Sequence, residues 1–333
     1  MNTLGWIFRV SMLGESHGGC VGVLLDGVPA GIPLSADDLL ADLERRRGGK
    51  KGTTARKESD MPLIKSGVFK GKTTGAPVLI LFENKDVDSS AYEKMRDTPR
   101  PGHADFVANI KYGGFNDYRG GGHFSGRLTA GLVAAGAVAK KMLGNAKVAA
   151  AVAEIGGAKD AKGQEKAIED ALTEGDSVGG IVECRVSGLP AGLGEPFFDS
   201  AESLISHAVF SIPAIKGVEF GAGFASARMT GSRCNDAIVD AKGKTATNNA
   251  GGINGGITNG NELVLRVAVK PTASVGKPGK TVNLKTGNPE LSEPKGRHDA
   301  CIALRVPVAL EAAVAIVLAD LMLIEQKIPR IMR

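Results

Sequence analysis

The pentapeptide Gly27-Val-Pro-Ala-Gly31 returns as Gly188-Leu-Pro-Ala-Gly192, and each copy stands in the same setting. A β-like run precedes each (21–25 and 180–186), and a helix is expected after each (35–43 and 200–209). Each half also runs through a histidine into a long apolar helix: His123 before 125–143, and His298 before 301–324. A strand-and-helix unit that cannot bury its apolar face alone becomes stable when a second copy covers it. The repeated order therefore predicts an α/β (α+β) chain, a single domain over 1–333 with pseudo-repeat halves of about 1–145 and 146–333. Two sheets with helices packed between or over them is the layered form expected of it.

Glycine accounts for 46 of 333 residues, about twice its ordinary share, and falls in short clusters between apolar runs. Such clusters read as tight turns and as places where backbone approaches a ligand. Aromatics are scarce, with one Trp, three Tyr and eleven Phe, which argues against a stacking surface for single-stranded nucleic acid. The net charge of +5 is mild and locally bunched, as in Arg45-Arg46-Arg47 and Lys50-Lys51. That pattern suits a small anion at least as well as a nucleic-acid backbone. Cys20, Cys184, Cys234 and Cys301 show no C-x-x-C spacing, so neither a disulfide framework nor a metal site is expected. They read as the reduced thiols of an intracellular, cytoplasmic protein. No signal-peptide pattern opens the chain. The longest apolar run, 302–324, contains Arg305, Pro307, Glu311 and Asp320 and reads as a buried helix, not a membrane span.

Strands are expected at 6–13 and 20–25, flanking the turn Gly14-Glu15-Ser16-His17-Gly18. Ser35, with Asp38 three residues on, opens a helix whose Leu39, Leu40 and Leu43 recur at helical spacing. Residues 45–60 read as a basic loop, and 61–69 and 77–82 as two further strands. The stretch 98–122 has little periodicity and many polar residues and glycines; long irregular segments in compact domains are usually functional.

His17, at its loop tip, can titrate near neutral pH and give a proton to a leaving oxygen. A histidine that only bonds a neighbouring carbonyl has the same appearance in sequence. His103 lies in Arg100-Pro-Gly-His-Ala-Asp105, where Pro and Gly fix a turn and Arg100 and Asp105 flank the ring. In Asp117-Tyr-Arg-Gly-Gly-Gly-His-Phe-Ser-Gly-Arg127, three glycines precede a helix capped by Ser125. That arrangement offers free amides and the positive helix end to an anion. Arg119 and Arg127 add forked donors for phosphate or carboxylate. The run does not follow G-x-x-x-x-G-K-[ST], so it makes no case for an ATPase. The arginines at 45–47 end a helix, where cations favour the dipole with or without a ligand. The Gly-rich 248–256 allows backbone to approach a planar ligand, and Lys270-Pro-Thr-Ala-Ser274 follows a strand expected at 262–269. Arg297-His298-Asp299 opens the last helix, where a carboxylate also serves as a cap. Together these turns point to phosphate-bearing small molecules with acid–base help, and they do not name a reaction.

Taken in order, the motifs resemble those of the chorismate synthase family. Three signatures carry the resemblance: G-E-S-H-G followed by V-L-L-D-G-V-P-A-G within 14–31, R-P-G-H-A-D through G-G-G-H-F-S-G-R within 100–127, and G-R-H-D at 296–299. Arg45-Arg46-Arg47, I-P-A-I-K-G-V-E-F-G at 212–221 and K-P-T-A-S at 270–274 support them, and the match runs over nearly the whole chain. The resemblance implies a β-α-β sandwich with internal pseudo-two-fold duplication, and a cytoplasmic homotetramer of the shikimate pathway. The implied reaction is anti-1,4-elimination of phosphate and a ring proton from 5-enolpyruvylshikimate 3-phosphate, giving chorismate. Reduced FMN is implied although there is no net redox change. NADPH is a possible source of reducing equivalents, and the lack of a G-x-G-x-x-G in a strand–turn–helix context favours the kind that receives its flavin reduced.

By the same resemblance, His17 would protonate the departing phosphate with Ser16 in the relay. His103 would stabilise the reduced flavin's anionic ring, with Ser125 in the same network. Asp299 would act near the flavin's central-ring nitrogen, which takes the substrate proton. Arg46, Arg100, Arg127 and Arg297 would hold phosphate and carboxylate groups, with Lys51 a looser basic ligand for substrate or NADP. Flavin contacts would fall at His123, Phe124, Ser125, Pro213, Ala214, Gly255, Lys270, Pro271, Thr272, Ala273, Ser274 and Arg297. His123 stands where many members carry Arg and Pro213 where Asn is usual, and the loop after Arg47 is one residue shorter than in many relatives.

Overall fold

Short runs rich in Val, Ile and Leu, with every second residue turned into the core, form the central strands of both sheets. In the computed structural model, which describes residues 1–49, 51–54, 59–85, 89, 92, 96–292 and 299–332, the first sheet holds β1 (Thr3–Leu4), β2 (Arg9–Gly14), β3 (Cys20–Asp26), β4 (Leu63–Ile64) and β5 (Val78–Glu83). Their order is β1-β2-β3-β5-β4, antiparallel throughout. Val21, Val23 and Leu25 lie opposite Phe82, Ile80 and Val78, and all six are fully buried on one face. The second sheet, also antiparallel, holds β6 (Lys147–Ile155), β7 (Gly180–Ser187), β8 (Ile215–Phe220) and β9 (Leu263–Val269) in the order β8-β9-β7-β6. Val182, Cys184 and Val186 face Val267, Leu265 and Leu263 in the same manner.

The helices are α1 (Asp37–Arg46), α2 (Asp105–Tyr112), α3 (Thr129–Met142), α4 (Ala161–Thr173), α5 (Ala201–Val209) and α6 (Val306–Ile324). Helix α3 lies on β3 and β5, α6 lies on β6 and β7, and α3 and α6 pack on each other. The layers therefore run sheet, helices, sheet: a β-α-β sandwich. Both central helices are buried along most of their length, so their apolar residues are not confined to one stripe. They touch at Gly136, where an added Cβ would stand 2.3 Å from Ala312 Cβ. The segment Ile302–Ile324 is long and apolar enough to cross a membrane, and it is buried inside the sandwich. Near its end, Asp320 accepts the backbone N–H groups of Trp6, Ile7 and Phe8, each at 2.8 Å. The last helix thus holds the entry to β2.

The two pentapeptides take the same backbone shape. Gly27 and Gly188 have φ of +77° and +74°, and Gly31 and Gly192 both have +95°, values that glycine adopts without steric cost. Each copy is also gripped by a threonine. Thr73 accepts from Ile32 N and donates to Pro29 O; Thr258 accepts from Leu193 N and donates to Pro190 O. Gly31 N and Gly192 N donate to the carbonyls of those threonines, both at 2.8 Å. The threonines sit in matching short hairpins, Val68–Phe69 with Lys72–Thr73 and Ile253–Asn254 with Ile257–Thr258.

Three local expectations change. The strand expected at 61–69 breaks into Leu63–Ile64 and Val68–Phe69, because Gly67 turns the chain at φ +79°. The stretch 98–122 contains α2, whose Phe106, Val107 and Ile110 stay exposed and whose only buried residue is Ala108. Its Phe106, Val107 and Ile110 do stand at helical spacing, but the helix has only eight residues, too few for the period to stand out in the longer stretch. The first helix begins at Asp37, and Asp38 reaches back to Ser35 N at 2.7 Å and to Ser35 Oγ.

Candidate active site

Turns from both halves converge on one cavity of about 720 Å³, a size usual for small-ligand sites. The first half brings Arg46, Arg100, His103, His123, Phe124, Ser125 and Arg127; the second brings Pro213, Ala214, Lys270, Pro271, Thr272, Ala273, Ser274 and Asp299. Part of its wall is apolar, with Leu4, Val10, Met12, Leu132, Ile212 and Ala309. It is also basic: among the described residues, Arg46, Arg47, Arg100, Arg127, Lys270 and Arg305 line it, with the carboxylates of Asp60 and Asp299 beside them. Such an excess of cations in a low-dielectric cleft draws a multiply charged anion.

Ser16 and His17, on the turn between β2 and β3, do not line the cavity; they lie behind Gly120, which does. Both are buried. His17 Nδ1 bonds Ser89 Oγ at 2.9 Å, and its ring meets that of Tyr92 edge-on at 5.2 Å between centroids. The turn is laced to the glycine run: Ser16 N donates to Gly122 O at 3.1 Å, and His123 Nδ1 donates to Gly14 O at 2.8 Å. Ser125 Oγ accepts from Arg127 N and so caps a short 3-10 turn that leads into α3.

His103 Nδ1 stands 2.6 Å from Asp105 Oδ1. Arg100 grips the same carboxylate with Nε at 2.7 Å and one terminal nitrogen at 2.9 Å, and gives the other to Ser274 Oγ at 3.1 Å. Burial pushes Asp105 up, but hydrogen bonds from Arg100 and His103 outweigh it and hold the carboxyl well below the usual range. Arg100 is thus largely committed inside the protein, and Arg119 likewise, clasped by Asp117 at 2.8 Å. Neither has the free fork that its motif suggests.

Asp60 is the feature that sequence reasoning missed. Its carboxylate, fully buried, lies between Arg46 and Arg127. Burial pushes it up, and the two guanidiniums pull it below its ordinary value. Arg46, itself buried, is pushed down to about 10 by burial, and its Nε has no partner among the described residues. Arg305 was also missed. It holds Asp299 Oδ2 at 3.1 Å and donates to Arg46 O at 3.0 Å, while Thr54 N donates to Asp299 Oδ1 at 2.9 Å. The available signals were an acid closing a basic loop and the single cation at the start of an apolar helix.

Lys51 and Gly255 lie outside the cavity. Lys51 pairs with Glu169 and Glu165 at the surface, and Gly255 sits in the turn of the 253–258 hairpin. Arg297 lies outside the described residues. Ala214 carries a left-handed φ of +75°, which strains a residue with a Cβ and marks the cavity wall as a place where backbone shape is imposed.

The buried carboxylates set an acid limit to stability. Asp60, Asp105 and Glu311 all have folded pKa values below their ordinary ones. Their stabilisation is present above the unfolded carboxylate range of about 4 and is lost as pH falls toward the folded values. The melting temperature is expected to be flat above about pH 5 and to fall steadily below it. Calorimetry across pH 3–7 checks this; a melting temperature that rises on acidification would contradict the pairing.

A family model described as chorismate synthase matches residues 8–323. A chorismate synthase of Chitinophaga pinensis is 65% identical over 334 residues, covering 100% of both chains. One from Dehalococcoides mccartyi is 47% identical over 361 residues, covering 100% of this chain and 99% of the relative. Among solved structures, a crystal structure of chorismate synthase superposes with a TM-score of 0.74 at 29% identity, covering 96% of this chain and 93% of that one.

Proposed function

The chain belongs to the chorismate synthase family, and from that premise we propose that its central cavity binds 5-enolpyruvylshikimate 3-phosphate and reduced FMN side by side. The activity is that of a carbon–oxygen lyase of aromatic amino-acid biosynthesis, forming chorismate by loss of phosphate and a ring proton. The observation that carries the assignment of the site is the convergence of turns from both halves on one basic, partly apolar cavity.

A flavin fits the donor set. The apolar side chains suit a flat tricyclic ring, and the guanidiniums suit a phosphate. The buried Thr272 Oγ1 on the wall has no partner among the described residues, as Arg46 Nε has none, and buried polar groups of this kind call for an acceptor. The segment Lys270–Ser274, with Pro213, Ala214, His123, Phe124 and Ser125, would hold the cofactor. When bound, reduced FMN supplies and reclaims the electron density that makes a stepwise anti elimination feasible.

The protein's own groups position and move protons. Arg46 and Arg127, fixed by Asp60, present cationic edges to the substrate's phosphate and carboxylates. His17 holds the proton for the departing phosphate oxygen, with Ser16 next to it. His103, oriented by Asp105, places positive charge or a donor N–H against the cofactor. Asp299, held by Arg305 and Thr54, keeps a carboxylate on the cavity wall for the ring proton.

We read residues 1–145 and 146–333 as pseudo-repeats of one domain, on the support of the two threonine-gripped pentapeptides. A cytoplasmic homotetramer is consistent with the exposed Phe106, Val107, Ile110, Phe197 and Phe198. We also read the enzyme as receiving its flavin already reduced. The test is anaerobic: purified protein, FMN reduced with dithionite, and substrate, followed by chorismate absorbance and phosphate release. Both products are expected together, only with reduced flavin, and none with oxidised FMN and NADPH alone. Phosphate release independent of flavin would sink the proposed chemistry, and turnover on NADPH alone would sink the single-activity reading.

A further inference from the structure

Between the two proposed catalytic imidazoles runs a backbone with no side chains. Gly120, Gly121 and Gly122 are consecutive left-handed residues, with φ of +59°, +80° and +51°. A Cβ on Gly120 would stand 2.3 Å from His17 Cδ2, 2.5 Å from His17 Nε2 and 2.9 Å from Ser16 Oγ. A Cβ on Gly121 would meet His103 Cε1 at 3.3 Å, His103 Nε2 at 3.5 Å and Ser125 Cβ at 3.8 Å. Neighbouring Cα atoms are about 3.8 Å apart, so a side chain at either end of this one peptide unit would run into a ring, His17 from Gly120 and His103 from Gly121. The bond from Ser16 N to Gly122 O pins this run to the His17 turn.

We infer that Gly120 and Gly121 are positioning residues: the bare peptide between them sets where His17 and His103 stand relative to each other and to the cavity. The motif's glycines then serve a steric purpose beside any anion contact of their amides. Acid–base groups must lie within hydrogen-bond reach of the proton they move, and small misplacements cost large factors in rate. A methyl at 120 displaces the His17 ring; a methyl at 121 presses on His103, where the contact is looser and the effect smaller.

The inference rests on the reading of His17 as proton donor, and a double-mutant cycle separates the two. Turnover with reduced FMN is measured for wild type, G120A, H17A and G120A/H17A, with reduced-FMN affinity alongside. G120A is expected to lower kcat by about 10- to 100-fold and to leave FMN affinity within about twofold. In the H17A background the same substitution is expected to change kcat less than about twofold, because the ring it displaces is gone. Equal losses in both backgrounds, or a G120A enzyme at the wild-type rate, overturn the inference. Wild-type turnover in H17A instead overturns the reading of His17. Where G120A alone fails to fold, the double variant is relieved of the two closest contacts, keeps only the one with Ser16 Oγ at 2.9 Å and the positive φ, and is expected to melt higher than G120A. A double variant no more stable than G120A overturns the contact itself.

Discussion

Replacement of His17 by Ala is expected to lower turnover by about ten- to ten-thousandfold, the range that a general acid supplies. The leaving phosphate needs a proton at its bridging oxygen, and no other histidine occupies the turn between β2 and β3. The ring is fixed on three sides, by Ser89 Oγ, by the edge of Tyr92 and by Gly120, so its placement does not depend on ligand. The loss should appear in kcat and kcat/KM alike, since the interaction is made at the departing oxygen in the transition state. Secondary structure and FMN affinity should hold. The decisive measurement is single-turnover phosphate release under anaerobic conditions with saturating reduced FMN. A rate within threefold of wild type, on the order of experimental scatter against the range expected, removes His17 from the mechanism.

The largest effect on stability is expected from Asp320→Ala. That carboxylate accepts three consecutive backbone N–H groups at 2.8 Å, and the one from Phe8 is buried. An orphaned buried donor costs about 1–3 kcal/mol, and the two partly buried donors add less because water reaches them. The expected total is about 3 kcal/mol, seen as a lower denaturation midpoint in urea with the slope unchanged. Asp320→Asn keeps one acceptor oxygen and should fall between. Because β2 is entered through residues 6–8, hydrogen exchange should also quicken in β1 and β2 before the rest of the first sheet. A midpoint unchanged in Asp320→Ala would show that solvent satisfies all three groups.

The strand pairs show what was legible in the chain. Residues 20–25, 77–82, 180–186 and 262–269 are short runs rich in Val, Ile and Leu, and all four are strands within a residue or two. Such runs are legible there because one face of each strand meets the central helices. The same logic fails at α2, whose apolar residues face outward, and at 61–69, where one left-handed glycine outweighs the strand formers around it. The repeated pentapeptide pointed to matching turns. Only the structure shows Thr73 and Thr258 making the same bonds to them, since each threonine lies tens of residues from its partner in the chain.

The chemistry of the site divides in the same way. Motif order by itself determined the family, the set of histidines, arginines and the terminal carboxylate, and the expectation of an anionic ligand. Those are properties of residue type and local turn shape, which short segments carry alone. Tertiary structure decided which of those groups is free to act. Arg100 and Arg119 are held by Asp105 and Asp117, Asp60 stands between Arg46 and Arg127, Lys51 turns to α4, and His17 stands beside Gly120 of the cavity wall. Charge pairing and steric contact fall off within a few ångströms, so they depend on which distant segments the fold brings together, and no local pattern records that.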